Sequence, residues 1–265
     1  MSLLDLYVQG WREATSSVID LLPTLSDEEW AASTDCPDWT VHDVTAHLAH
    51  LEHDLASGTT SSPVLGGTDI VSAFTQAGVD ARSGMSHLDL IDELASAVAI
   101  RSKALDELPE DPHTRAPVTP AGVDWTWDTL LRNRCIDVWV HEQDIRRAIG
   151  RSGGLDSTGA HVTTNTFKSA MSYVVGKKVR PAPGTTIGWH ITGQIPFELA
   201  VVVGEDGRAK PTDVEADDLD VLLTMGSEAF AVLGAGRRTA DLLDVTVAGD
   251  PELADVVLAA MPVTF

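Results

Sequence analysis

The chain has 265 residues, of which 43% are hydrophobic, so it is long enough to bury a sizeable core. Its 18 basic and 40 acidic residues give a formal net charge of -22, which argues against nucleic acid and anionic membrane surfaces as partners. No run reaches the roughly 18 apolar residues of a membrane span, and Cys36 and Cys135 do not make a disulfide framework, so we predict a soluble cytoplasmic protein.

Helical periodicity dominates the first 150 residues. Helical stretches are predicted at 3–22, 41–55, 69–84, 87–108 and from Thr126 or Asp124 to Gly150, with the stretch TTSSPVLGG as a loop. Ser26 with Glu29, and Thr40 with Asp43, fit capping boxes that start a short helix and the second long helix. Four long helices with short and medium connections predict a helical bundle.

The character of the sequence changes near residues 150–156. A helix is predicted within 151–175, and β-branched residues then mark strands in the segments GTTIGWHITG, FELAVVVG, LDVLLTM and DVTVAGD. The stretch VVVGEDGRAKP indicates a hairpin, and a closing helix is predicted to begin at Pro251. We therefore predict an α+β fold, with a helical bundle over 1–152 and a smaller α+β domain over 153–265.

Four of the nine histidines lie between residues 42 and 53. On a helical wheel of about 100° per residue, only His47 lies at the edge of the apolar face of its helix. His42, His50 and His53 are predicted to point away from the bundle interior.

A second group of ionisable residues lies in the segment RCIDVWVHEQD. On the same wheel these residues fall within about 80° of one another, beside an apolar seam: Arg134, Asp137, His141 and Asp144. If this side of the helix packs inward, such groups must be paired or bind a metal, since an unpaired buried charge is costly.

Asp137 and His141, at positions i and i+4, can reach one cation, and His47 is the best-placed third ligand. Two imidazoles and one carboxylate with open positions are typical of a catalytic zinc or iron(II) site. Asp144 and Arg134 would then orient the ligands. The alternatives are a solvated, salt-bridged face and, for His47, an ordinary core histidine.

The segment CPDWTVHDVTAHLAH resembles an N-terminal signature of the mycothiol-dependent maleylpyruvate isomerase family, whose bundle is DinB-like. The matching residues are Cys36, Pro37, Trp39, Thr40, Val41 and His47. The segment RCIDVWVHEQDIRRAIG resembles the second signature of the family, and the later part of the chain is similar to its α+β domain, which resembles sterol-carrier folds. The segments VLGAGR and VAGDPELADVVL match the Gly-Arg and Gly-Asp stretches of that domain.

The resemblance implies a divalent metal, usually zinc, bound by His47, Asp137 and His141, with mycothiol as thiol cosubstrate. Family enzymes tend to have Glu where this chain has Asp137. In the segment that resembles the Gly-Arg stretch, Arg237 is the candidate to hold a substrate carboxylate. Arg238 is the neighbouring alternative, and a surface arginine is the competing interpretation.

These expectations predict a metal- and thiol-dependent enzyme, a mycothiol-dependent isomerase of maleylpyruvate-like cis-enedioates. The alternatives are a mycothiol S-transferase acting on small electrophiles and a non-catalytic metal- or ligand-binding protein on the same scaffold. The predicted partners are a small-molecule substrate and a low-molecular-weight thiol, and the chain is expected to be a monomer or homodimer.

Overall fold

The structure is a computed structural model that describes residues 2–58 and 70–264, so the loop predicted at TTSSPVLGG lies outside the described residues. The helices in chain order are α1 (Leu3–Leu21), α2 (Asp27–Trp30), α3 (Val41–Ser57), α4 (Ile70–Asp80), α5 (His87–Ala104), α6 (Trp127–Ala148), α7 (Thr158–Tyr173), α8 (Ser227–Gly234) and α9 (Pro251–Ala260). The strands are β1 (Thr186–Thr192), β2 (Phe197–Val203), β3 (Ala209–Pro211), β4 (Val221–Gly226) and β5 (Val245–Gly249).

Side-chain caps fix where the helices of the bundle begin. The capping boxes predicted at Ser26 and Thr40 are both present, and Thr126 caps α6 by accepting a hydrogen bond from the backbone of Thr129. Gly58 and Gly150 follow α3 and α6 with φ values of 69° and 66°, a left-handed conformation that stops a helix at little steric cost.

The contacts divide the chain into two compact units, residues 1–162 and 163–265. In the first unit, α1 packs along α6 and α3 along α5, and α3 also contacts α6. Large apolar side chains fill the space between these helices, among them Trp11, Leu22, Leu48, Leu90, Leu94, Leu131 and Ile145. The contact between α3 and α6 brings together the two segments that carry the predicted ligands.

The division falls inside α7, later than the change of sequence character near residue 152. The first residue of α7 explains part of this difference. The backbone N–H and the hydroxyl of Thr158 both donate to the Glu13 carboxylate on α1, which ties the start of α7 to the bundle.

In the second unit, the described strands form one five-stranded mixed sheet in the order β3-β2-β1-β4-β5. β1 pairs antiparallel with β2 and parallel with β4, and β2–β3 is the predicted hairpin. Val221, Leu223 and Met225 alternate into the core along β4, and α8 and α9 both contact that strand. The predicted α+β fold is therefore confirmed.

Among the described residues, no helix is both long enough and apolar enough to cross a bilayer.

Candidate metal centre

Three side chains from two helices meet inside the first unit and form a His–Asp–His cluster: His47 of α3, with Asp137 and His141 of α6. Nε2 of His47 lies 3.3 Å from Oδ2 of Asp137, and Nε2 of His141 lies 3.6 Å from Oδ1 of the same carboxylate. Both imidazoles are buried, whereas 31% of the Asp137 side chain is exposed. The cluster is therefore open to solvent on the side of its carboxylate.

The local sequence explains this placement. The cap at Thr40 starts α3 so that His47 falls nearly two turns into the helix, and Asp137 and His141 stand one turn apart on one face of α6. Trp39, just before the cap, packs its ring 5.3 Å from the ring of His47 and 6.1 Å from that of His141, centroid to centroid. The indole thus covers both imidazoles.

Behind His141 lies a chain of hydrogen-bonded and ionic groups. Oδ2 of the fully buried Asp144 is 3.0 Å from Nδ1 of His141 and accepts the S–H of Cys36 at 3.2 Å. Arg147 joins this carboxylate to Asp35, donating to each at 2.6 Å. Asp144 therefore holds a proton on Nδ1 of His141 and leaves Nε2 to face Asp137.

Cys36, His141 and Asp144 also lie close enough together to be considered as ion ligands. The Asp144 carboxylate, however, already accepts hydrogen bonds from Arg147 and Cys36 and contacts the imidazole of His141. These contacts support His141, and we do not interpret them as a separate site.

Arg134 supports the other ligand of α6. Its Nη1 donates to Oδ2 of Asp137 at 2.6 Å, and Nη2 donates to Glu52 at the same distance. Arg134 is 2% exposed and Glu52 is fully buried. The carboxylate of Asp137 is thus held from one side by a guanidinium and faces two imidazoles on the other.

The three groups of the cluster have strongly displaced pKa values. Burial lowers the pKa of His47 to about 4, despite the opposing charge of Asp137. For His141, burial is outweighed by the charge of Asp137 and the hydrogen bond to Asp144, so its pKa rises to about 10. The pKa of Asp137 stays well below its usual range because Arg134 and the two imidazoles outweigh its burial. At neutral pH the carboxylate is ionised and the His47 ring is neutral.

These residues fit a divalent metal ion. Two ligand atoms about 2.1 Å from one ion at a tetrahedral angle are about 3.4 Å apart. Nε2 of His47 lies 3.3 Å from Oδ2 of Asp137, and Nε2 of His141 lies 3.6 Å from Oδ1 of the same carboxylate, so each imidazole is at about this spacing from one carboxylate oxygen. Nδ1 of His47 is buried and lacks a hydrogen-bond partner among the described residues, so this nitrogen of the ring is not engaged there. The exposed side of Asp137 leaves room for a further ligand.

The structure excludes one of the alternatives for the polar stripe of α6. Arg134, His141 and Asp144 are 2%, 5% and 0% exposed, so the stripe is not a solvated face.

Cys135 is buried, and burial raises the pKa of its thiol to about 12, which suits a packing role.

The wheel-based interpretation of His50 was wrong. His50 is 7% exposed because α4 covers that side of α3: its ring lies 4.6 Å from that of Phe74, centroid to centroid, and Gly78 is close beneath it. His53, by contrast, has 54% of its side chain exposed, as predicted.

Arg237 lies in the second unit, just after α8, and is partly exposed. Its Nη1 donates to the backbone carbonyl of Ala235 at 3.1 Å. Its role, and that of the neighbouring Arg238, stays a prediction.

Two residues near the centre were not found from the sequence. Glu52 stands four residues after Leu48, on the apolar side of α3, and a carboxylate in that position is a signal of buried pairing. Cys36 matches the N-terminal signature, but the sequence gives no sign that its thiol contacts the carboxylate that orients His141. That contact depends on the backbone path before α3 and has no periodic signal.

The structure combines a helical bundle, in which two histidines and a carboxylate converge, with an α+β unit. These features define the class: a two-part protein with a candidate metal centre in its bundle. Residues 11–146, slightly more than half of the chain, match the profile of the mycothiol maleylpyruvate isomerase N-terminal domain. The chain belongs to this family, as its signatures predicted, and the matched segment contains the whole His–Asp–His cluster.

Two crystal structures of mycothiol-dependent maleylpyruvate isomerase are similar to this structure, one of them a mutant in which a histidine is replaced by alanine. Each has a TM-score of 0.58 and aligns over 92% of both chains, with 16% sequence identity for the mutant and 17% for the other. At this identity the likeness shows a shared fold. A sequence comparison with curated proteins gave no match.

The displaced histidine pKa values predict a pH dependence of stability in the metal-free protein. His141 keeps its proton up to about pH 10 when folded but only to its ordinary value of 6.5 when unfolded. The unfolded state therefore binds fewer protons in this interval, and stability falls as the pH rises, by up to about 1.4 kcal/mol per pH unit. For His47 the sign is opposite: its pKa of about 4 makes stability fall as the pH drops below 6.5.

Urea unfolding with a chelator present, at several values from about pH 7 to about pH 8.5, measures the His141 contribution. His141→Gln should remove most of the alkaline slope. Equal slopes in the wild-type protein and this variant would contradict the raised pKa of His141.

Proposed function

We propose that this protein is a metal-dependent enzyme that uses mycothiol to isomerise a cis-enedioate of the maleylpyruvate kind. The observation that carries the proposal is the convergence of His47, Asp137 and His141 within a segment that matches this family. The donor set of two imidazoles and one carboxylate suits zinc, nickel or iron(II), and we name zinc as the resident ion. Both cysteines are free, which agrees with a cytoplasmic location, where thiols stay reduced.

Each residue of the cluster would contribute in a different way to binding the ion. His47 offers an unprotonated nitrogen at neutral pH because its pKa is lowered to about 4. His141 would offer Nε2 because Asp144 engages Nδ1, and binding of the ion would displace the proton that its pKa of about 10 keeps on the ring of the metal-free protein. The ionised Asp137 would contribute the negative charge. When bound, the ion supplies a positive charge that lowers the pKa of a thiol and so favours the thiolate at neutral pH.

The bonds that form and break in the proposed reaction are those of the thiol and the substrate. The thiolate of mycothiol adds to one carbon of the cis double bond, and the electron pair of that bond moves toward the neighbouring carbonyl group. The remaining carbon–carbon single bond rotates. The electron pair then re-forms the double bond in the trans geometry and expels the thiolate. The thiolate is therefore regenerated with its negative charge.

A dianionic substrate also needs a cation, which a chain with a net charge of -22 must supply locally. We assign this role to Arg237, because a partly exposed guanidinium can pair with a carboxylate through two parallel hydrogen bonds. Arg237→Ala should raise KM for the dianion by about tenfold or more and leave zinc content unchanged, consistent with a lost charge-assisted hydrogen bond. Arg208→Ala, at a site with 71% of its side chain exposed, is the control. An unchanged KM would exclude Arg237 from substrate binding.

The proposal is tested on protein purified without a metal-binding tag. We expect about one zinc ion per chain by elemental analysis, and isomerisation of maleylpyruvate that requires mycothiol but does not consume it. Consumption of mycothiol with release of a thioether would identify an S-transferase instead. Bound zinc with no thiol-dependent turnover on maleylpyruvate would also contradict the proposal.

A further inference from the structure

A buried carboxylate outside the His–Asp–His cluster collects three donors from three helices. Oε1 of Glu52 accepts the indole N–H of Trp11 at 3.0 Å and pairs with Arg134, while Oε2 pairs with Nη1 of Arg101. Glu52 is fully buried, and the two arginines are 5% exposed or less. A group with this many charge-assisted contacts has one well-defined position.

Arg134 connects this carboxylate to the cluster. Its Nε and Nη2 both point to Oε1 of Glu52, at 3.2 and 2.6 Å, while Nη1 donates to Oδ2 of Asp137 at 2.6 Å. The same oxygen of Asp137 lies 3.3 Å from Nε2 of His47. The planar guanidinium of Arg134 is therefore fixed between Asp137, which belongs to the cluster, and Glu52, which does not.

The charges explain why this connection matters. Arg101 and Arg134 are two buried cations, and Glu52 and Asp137 are the two carboxylates that offset them. If Glu52 is made neutral, both positive charges remain and Asp137 is the one anion left beside Arg134 in this group. The guanidinium would then draw the Asp137 carboxylate more strongly, and its uncompensated charge would repel a cation in the cluster.

We propose that Glu52 is a positioning residue of the metal centre: by holding and neutralising Arg134, it leaves the Asp137 carboxylate free to bind the ion. This inference rests on the proposed function, because it requires that the cluster binds a metal. The competing role is a structural ion pair, which would contribute to stability alone and would leave the metal affinity of the folded protein unchanged.

The experiment measures the Zn²⁺ affinity of the full chain by competition with a chromophoric chelator, with folding checked by circular dichroism. Glu52→Gln should lower the affinity by about 10- to 100-fold, the usual range for a residue that supports a metal ligand. Adding Arg134→Gln in the same chain should recover part of the loss, since it removes the uncompensated cation nearest to Asp137. Wild-type affinity in Glu52→Gln, or no recovery in the double variant, would overturn the inference.

Glu142→Gln is the matched control. Glu142 is another buried carboxylate of the bundle, 1% exposed, and it pairs with Arg146 and Ser17 instead of the cluster. This variant should keep wild-type Zn²⁺ affinity even if it is less stable. If neither it nor the wild-type protein binds Zn²⁺, the metal centre itself is wrong, which is a different result from failure of the Glu52 role.

Arg134→Lys keeps the inference testable if Glu52→Gln does not fold. A lysine keeps the positive charge but cannot fix a planar fork between two carboxylates. We expect a loss of Zn²⁺ affinity of about tenfold for the folded variant, and an unchanged affinity would overturn the inference.

Discussion

His47→Ala should abolish Zn²⁺ binding at micromolar metal and remove thiol-dependent turnover with it. In the proposed centre His47 would supply one of the three ligand atoms, and it is the one candidate ligand of that cluster contributed by α3. Because replacing a residue that merely orients a ligand costs about 10- to 100-fold in metal affinity, loss of a ligand should cost more. Metal per chain by elemental analysis, together with the isomerisation rate, measures both effects.

His53→Ala is the control for this variant. His53 lies on the same helix with 54% of its side chain exposed, so its removal should change neither metal content nor turnover. If His47→Ala retained a full complement of Zn²⁺ while His53→Ala lost it, the ligand assignment on α3 would be wrong.

Asp144→Asn should lower Zn²⁺ affinity by about 10- to 100-fold while the chain still folds. The amide can still accept a hydrogen bond from Nδ1 of His141, which lies 3.0 Å from Oδ2 in the wild-type protein, but it carries no negative charge. The imidazole then becomes a weaker base and a weaker ligand. A chelator competition at constant pH measures the change.

The comparison variant is Asp128→Asn, an acid on the same helix paired with Arg132 one turn later. It should keep wild-type Zn²⁺ affinity. Equal losses of affinity in the two variants would mean that the effect comes from a general disturbance of α6 and has no connection with the orientation of His141.

Much of the first unit could be predicted because its signals are local. The capping boxes at Ser26 and Thr40 and the stop at Gly150 fix where helices begin and end, and each depends on a few neighbouring residues. Helical phase then places Asp137 and His141 on one face. Phase alone could not decide whether that face was buried, since burial depends on which helix packs against it.

The groups that sequence reasoning missed depend on contacts between distant segments. His50 is buried by α4 and Glu52 is neutralised by Arg101 of α5, and neither partner has a fixed spacing from α3 in the sequence. Cys36 reaches Asp144 through the turn that precedes α3. A single helical wheel assumes one buried face, whereas α3 has neighbours on several sides.

Anomalous diffraction at the zinc edge, from crystals grown with Zn²⁺, tests most directly whether three side chains hold one ion. We expect one strong peak within about 2.0–2.2 Å of a nitrogen of His47, a nitrogen of His141 and an oxygen of Asp137. A zinc peak at another position, with these three side chains still paired only with one another, would contradict it.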